Sequence, residues 1–453
     1  MKKNQVLAIF YGLSLISAVL FGNTGLTWAE DEKWPGWIPK ILGLQFAGIY
    51  QNMPAFTSPY AGDKSLIYEN GKGQDITRTY GLYLGSQVTQ NLQAYLDVEM
   101  FNGDGLSNGL GLGGYINGDV IRAGSQDLGK APYLARFFLR YLIPLSPEMT
   151  PVERGMDQLP GKDPVSRVEI KLGKLTLTDD FDQNRYANNN RTQFLNYSFL
   201  YNPAWDYASD TRGYSLGFTL ALVMPAWRLV FGSFQVPSTM NGIDLDPEIY
   251  QARGDNLELT LKPNKQGTAV RFLVYRNQSR MGSYEESLAI GRRTNTIPDL
   301  VANEKPGREK YGFGINFEQP LADNGETGLF ARMSWNNGQN TNYMYTDVDR
   351  HISLGVQVSG VHWGRPEDRL GLAGALNGIS AEHRSYLEAG GMGLLTGDGR
   401  LNYAWERIFE IYYRFQIGRY IQISPDFQYI QNPGYNSDRG PVAVYSLRLR
   451  LSY

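Results

Sequence analysis

Apolar and polar residues alternate with period two through most of the chain, and that alternation predicts strands. Leu92, Ala94, Leu96 and Val98 fall on one face of a strand, with Gln93, Tyr95, Asp97 and Glu99 on the other. Phe137, Leu139, Tyr141 and Ile143 oppose Arg136, Phe138 and Arg140, and Val168, Ile170 and Leu172 oppose Arg167, Glu169 and Lys171. The last strand does the same: Tyr445, Leu447, Leu449, Leu451 and Tyr453 share a face against Ser446, Arg448, Arg450 and Ser452. Tight junctions, such as those after Val88, before Trp227, after Leu261 and at Gly418-Arg419, alternate with long polar ones. The long ones run over 102–132, 174–212, 277–309 and 377–405. Reading from about Ile41 gives roughly sixteen strands with every long loop on one side. Val120 to Ala123 is taken as part of a loop, and Pro144 to Val165 as an unusually long connection on the short-turn side.

Two architectures fit such strands. A soluble sandwich buries its apolar faces and wets its polar ones, whereas a membrane barrel turns apolar faces to lipid and polar faces to a lumen. Aromatic residues at the ends of the apolar faces (Tyr80, Tyr141, Tyr214, Trp227, Tyr311, Trp335, Tyr429, Tyr453) suit the interfacial girdles of a membrane. Closure also removes the exposed edges that so many strands would otherwise carry. The expected fold is therefore all-β: a transmembrane antiparallel barrel with short periplasmic turns and long extracellular loops, some folded into the lumen.

Composition agrees. The chain has 51 glycines, 30 tyrosines and no cysteine, as expected for a turn-rich exported protein crossing an oxidising compartment. Lys2 and Lys3 precede an apolar stretch, and Thr27-Trp28-Ala29 offers small residues at a cleavage site. Residues 1–29 read as a cleaved Sec-type signal peptide, 30–40 as a periplasmic segment and 41–453 as the barrel. The formal charge of −2 is too balanced for a nucleic-acid partner. No coiled coil or repeat segment precedes the barrel, so no separate cell-wall anchor is expected.

Particular segments narrow the class. ISPDFQYIQNPGYNSDRGPVAVYSLRLRLSY, residues 423–453, resembles the closing hairpin of the carbohydrate-selective porins of the OprB type. FDQNRYANNNRTQFLNYSFLYNPAWDYASDTRGYSLGFTL, residues 181–220, and the following FGSFQVPS resemble them too; RTQF and AWDYASDTRGY are the most distinctive. PEIYQARGDNLEL and VEMFNGDGLSNGLG add weaker similarity, and residues 34–73 carry little. The terminal Tyr453 departs from the more usual phenylalanine. The resemblance implies a sixteen-stranded porin that admits sugars through a channel narrowed by inward loops. A C-terminal strand ending in Tyr453 also resembles the signature read by the barrel assembly machinery.

A sugar presents hydroxyls on its edge and C–H groups on its faces, so selection calls for charged hydrogen-bonding groups beside aromatic platforms. Channel-lining candidates on the polar faces are Asp97, Glu99, Arg136, Arg140, Arg167, Glu169, Lys171, Glu258, Arg271, Arg332, Glu410, Arg414, Arg448 and Arg450. Such charges could instead pair across neighbouring strands. The loop from Leu175 to Arg212 is expected to form a constriction with 102–132. It offers Asp182, Arg185, Arg191, Tyr201, Trp205 and Tyr207 as sugar contacts, with Asp179, Asp180, Phe194, Tyr197 and Phe199 beside them. Expected partners are small carbohydrates and outer-membrane lipid; no cofactor or metal is expected.

The alternative is a general or anion-preferring pore for phosphate or organic acids, since the wall leans positive. A barrel enzyme has less support. His351 starts a strand, His362 lies in a turn, His383 lies in an outer loop, and no G-x-S-x-G serine elbow is present. A purely adhesive barrel is the remaining rival.

Overall fold

The computed structural model describes residues 37–119 and 128–453. The expected signal peptide 1–29, most of the segment 30–40 and the 120–123 loop reading lie outside the described residues.

Among the described residues eighteen strands run in chain order: β1 (Lys40–Asn52), β2 (Gln74–Gln87), β3 (Leu92–Asn102), β4 (Tyr133–Pro144), β5 (Met149–Val152), β6 (Gly161–Pro164), β7 (Arg167–Leu175), β8 (Ser215–Val223), β9 (Trp227–Gln235), β10 (Arg253–Leu261), β11 (Ala269–Met281), β12 (Lys305–Ala322), β13 (Thr327–Asn336), β14 (Arg350–Ser359), β15 (Arg369–Gly378), β16 (Glu406–Ile417), β17 (Ile421–Gln431) and β18 (Val442–Ser452). Sixteen of them form one closed antiparallel barrel, and β5 and β6 form a separate two-stranded hairpin. Neighbours in sequence are neighbours in the wall except at that hairpin, where β4 pairs directly with β7, Arg140 facing Lys171. The barrel closes between β1 and β18, with Phe46 facing Leu451 and Ile49 facing Arg448. Connections at one end are short, apart from the one holding β5 and β6; those at the other are long. This is the layout of an outer-membrane barrel with its turns in the periplasm.

The alternation works out as lipid-side and lumen-side faces. Phe137, Leu139, Tyr141 and Ile143 are exposed on the outside, as are Leu216, Phe218 and Leu220, and Ile352, Leu354 and Val356. The intervening residues point inward and are mostly buried. Rings meet on the outer face as a girdle requires: Phe313 stacks on Trp335 at 5.8 Å, and Tyr413 meets Phe415 at 4.3 Å. One outward assignment differs, and another holds but is covered by its neighbours. Leu451 is covered, at 7% exposure, where it faces Phe46 and Ile421. Tyr214 belongs to no girdle: it precedes β8 and turns inward, also at 7% exposure. Among the described residues no helix is long and apolar enough to cross a membrane.

The bore is far from empty. The connection from Thr176 to Tyr214 folds into it and carries Phe181, Phe194, Phe199 and Trp205 into full burial. Phe194 meets Tyr412 edge-on at 4.9 Å and Phe330 at 5.7 Å, so the loop packs on the β13–β16 side. Glycines on the inner face make room for it. A Cβ on Gly314 would lie 2.8 Å from Asn202 Nδ2, and one on Gly328 would collide with the Tyr186 hydroxyl.

Candidate functional site: a passage between an aromatic loop and a charged wall

The loop 176–214 is fastened chiefly by charges on the far wall. Arg332 of β13 donates to the carbonyls of Phe199 (2.8 Å) and Ala187 (2.7 Å) and pairs with Asp182 at 3.2 Å. Asp182 in turn accepts from the Asn202 backbone at 2.6 Å, while its own N–H donates to Glu258 of β10 at 2.7 Å. Glu318 of β12 accepts from the Arg185 backbone at 2.8 Å and pairs with Arg271 at 3.3 Å. Glu410 of β16 accepts from Leu195 and Asn196, and Arg448 of β18 donates to the carbonyls of Asn190 (2.5 Å) and Gln193 (2.7 Å). Trp205 Nε1 donates to Asn256 of β10 at 2.9 Å. A buried loop must satisfy its backbone groups, and these side chains do what a strand ladder does elsewhere.

On the other side the loop leaves a cavity of about 620 Å³ against β1–β4 and β7. Its lining holds a charged ladder. Glu99 accepts from Tyr83 (3.0 Å), Tyr133 (3.4 Å), Tyr214 and Arg191 (3.3 Å). Arg191 also reaches Asp119 at 3.2 Å. Lower down, Arg136 forks onto Asp179 with two bonds of 2.9 Å and donates to Asp97 at 3.1 Å. Lys171 meets Asp180 at 2.9 Å, and Arg450 donates to Gln45 at 2.8 Å. The lining also carries a cluster of rings: Tyr115, Tyr197, Tyr201, Tyr207 and Tyr345, with Tyr207 stacked on Tyr345 at 4.7 Å.

The residues expected from sequence therefore divide. Glu99, Arg136, Lys171, Arg191, Tyr201, Tyr207 and Arg450 line the cavity, with Asp97 directly behind Arg136. Glu258, Arg271, Arg332, Glu410, Arg448, Asp182, Arg185 and Trp205 are absent from its lining. All but Arg271 bond the loop to the wall, and Arg271 does so through Glu318; Trp205 is 2% exposed. Arg140, Arg167 and Glu169 form a buried network at the periplasmic end, with Arg140 to Glu169 at 3.0 Å and Arg167 to Glu169 at 3.0 Å. Arg414 sits near that end, towards the Glu367 carbonyl at 3.5 Å. Sequence reasoning did not single out Tyr83, Asp119, Tyr345 or Asp157 as lining residues. Tyr83 was legible as an inward strand position; the others sit in connections with no period to assign a face.

The histidines stand far from this cavity in bonding terms. His351 lies between Asn377 (2.8 Å) and Ser353 (3.0 Å), His383 contacts Asp349 at 3.0 Å, and His362 contacts Asp323 at 2.9 Å.

No curated protein matches the chain. Among solved structures it is similar in fold to Pseudomonas putida OprB at high pH, with a TM-score of 0.67 and 15% identity over 92% of this chain and 94% of that one. The low-pH structure of the same protein gives 0.48 and 13% over 92% of each. The DcaP channel of Acinetobacter baumannii gives 0.48 and 11% over 92% and 97%. The model of the carbohydrate-selective porin, OprB family, matches residues 84–453. With the closed sixteen-stranded barrel and its loop-narrowed bore, this match makes the chain a member of the OprB family, the carbohydrate-selective porins of the outer membrane.

Proposed function

We propose that small neutral sugars diffuse passively past the loop 176–214, touching the rings and the charged ladder of the cavity at once. The observation that carries this reading is that five tyrosines and a ladder of carboxylates and guanidiniums line one space. A pyranose can lay its C–H face on Tyr201 or Tyr207 and trade hydroxyl bonds with Glu99, Arg136 and Arg191. Charge-assisted bonds at fixed positions replace the water that the sugar leaves behind. The ladder groups already satisfy one another, so each contact is an exchange between partners and binding stays weak enough for release. Movement follows the concentration gradient, and no bond of the solute is made or broken.

The remaining assignments follow the same reading. Residues 1–29 direct export and are removed; the apolar outer face contacts outer-membrane lipid; and the last strand, ending in Tyr453, is recognised by the barrel assembly machinery. Liposome swelling with sugars of graded size, and amino acids as controls, tests the function. Rates that fall with sugar size and stay low for amino acids of the same mass are expected. Equal rates for both classes would reduce the protein to a general pore.

A further inference from the structure

The connection between β4 and β7 is long for a periplasmic turn, and it folds inward. Its stem closes through Leu145 N to Ser166 O at 2.8 Å and Val165 N to Glu148 O at 2.9 Å. β5 and β6 continue the pairing, and the tip reverses between Gly155 and Gln158. Three wall strands hold it. Asp163 accepts from Arg140 of β4 at 2.5 and 3.3 Å, and the Leu159 N–H donates to the Tyr95 hydroxyl of β3 at 3.2 Å. Against β1, a Cβ on Gly43 would press on Met156 at 3.2 Å. Leu159 is buried in a cluster with Leu42, Tyr83, Tyr95 and Phe138, and Arg154 lies 5.2 Å over the Tyr453 ring.

Held this way, the tip sends Met156, Asp157 and Gln158 into the lining of the same cavity as Arg136 and Asp179. Asp157 Oδ2 stands 3.5 Å from Arg136 Nη1, and its Oδ1 receives no hydrogen bond. Arg136 is thus surrounded by three carboxylates, two of which already take its hydrogens.

We propose that this hairpin is a second, periplasmic jaw of the selectivity zone, and that Asp157 is the residue that turns away anionic sugars. The inference rests on the sugar-channel reading and adds the class of sugar refused. An accessible guanidinium is the preferred partner of a carboxylate or phosphate, which it binds with two parallel bonds. Asp157 adds a third carboxylate around Arg136, so an approaching anion is repelled there more strongly than by Asp97 and Asp179 alone, while a neutral sugar carries no charge to be repelled. The balance is fine: the cavity lining carries four carboxylates (Glu99, Asp119, Asp157, Asp179) and five cations (Arg136, Lys171, Arg191, Arg212, Arg450). Removing Asp157 leaves three against five.

The test uses the full channel in liposomes and planar bilayers, with Asp157→Asn, Asp157→Glu and a variant whose residues 154–158 are replaced by two glycines. Heat-modifiable mobility verifies the barrel in each. For Asp157→Asn the ratio of gluconate to glucose swelling rates should rise by about fivefold or more, and the reversal potential in a KCl gradient should move toward chloride. Asp157→Glu should keep gluconate out, and the shortened tip should raise conductance and admit disaccharides. An unchanged gluconate ratio and reversal potential in an Asp157→Asn channel that still passes glucose would overturn the role of Asp157. Unchanged conductance of the shortened variant would overturn the jaw. If the wild-type channel passes no sugar, the sugar reading itself fails, whereas the ion-selectivity comparison still judges the hairpin.

Discussion

Two arcs of this barrel share the same alternation but use their inward charges in opposite ways. On the arc from β10 to β18, Glu258, Arg332, Glu410 and Arg448 are bonded to the backbone of the loop 176–214. On the arc from β1 to β4, Glu99 and Arg136 face a water-accessible cavity and bond mainly to side chains. The first set replaces a hydrophobic core with a polar one; the second lines a cavity. Inward charge in a porin therefore marks two different jobs, and the neighbour a charge bonds to tells them apart.

The largest effect is expected where a buried pair is broken on the filled arc. Arg332→Ala leaves Asp182 buried beside two unpaired carbonyls, which should cost about 3–5 kcal/mol. The loop should loosen, so the mobility shift on heating should occur at lower temperature and disaccharide swelling should rise. If Arg332→Ala changed only sugar preference, with the thermal transition intact, the division between arcs would collapse.

Glu99→Gln on the open arc should do the reverse. Losing one charge-assisted bond of about 1.5 kcal/mol predicts an approximately tenfold change in sugar swelling rate. The thermal transition should move much less than for Arg332→Ala. Reversal potentials should shift toward anions, since Arg191 loses a counter-charge at 3.3 Å.

Smaller again is the effect of the ring cluster. Tyr207→Leu removes a stacking surface worth about 1 kcal/mol, so sugar-dependent block of ion current should weaken by about fivefold. The parallel substitution Trp205→Phe, behind the loop, should weaken block far less, because Trp205 is turned toward Asn256. Equal loss in both would mean that the loop merely collapses. The smallest effect belongs to Arg276→Gln. This exposed pair with Glu309 should contribute less than about 0.5 kcal/mol and leave permeation unchanged in the same bilayer assays.

Tyr214 marks where strand alternation stops being a guide. Tyr214 reads as the aromatic end of an outward face, yet β8 begins at Ser215 and the ring turns in to Glu99. A period assigns a face only while the backbone remains extended, and one residue outside the strand is free of it. Trp205 shows the same limit inside the loop. An aromatic residue there could touch solute or support the loop, and only its partner on β10 decides.

Sequence by itself determined the barrel: period-two alternation sets which residues face lipid, because each strand meets hydrocarbon on one side along its whole length. It also determined which connection was long enough to enter the bore, and that the inward face would be charged. Only the tertiary structure decided which of those charges are wet. That choice depends on where the loop 176–214 lies and on the periplasmic hairpin rising to meet it, through contacts between residues far apart in the chain, such as Arg448 with Asn190, 258 positions away. Local patterning cannot encode such contacts, since an arginine that grips a carbonyl and one that lines a cavity occupy the same place in the alternation.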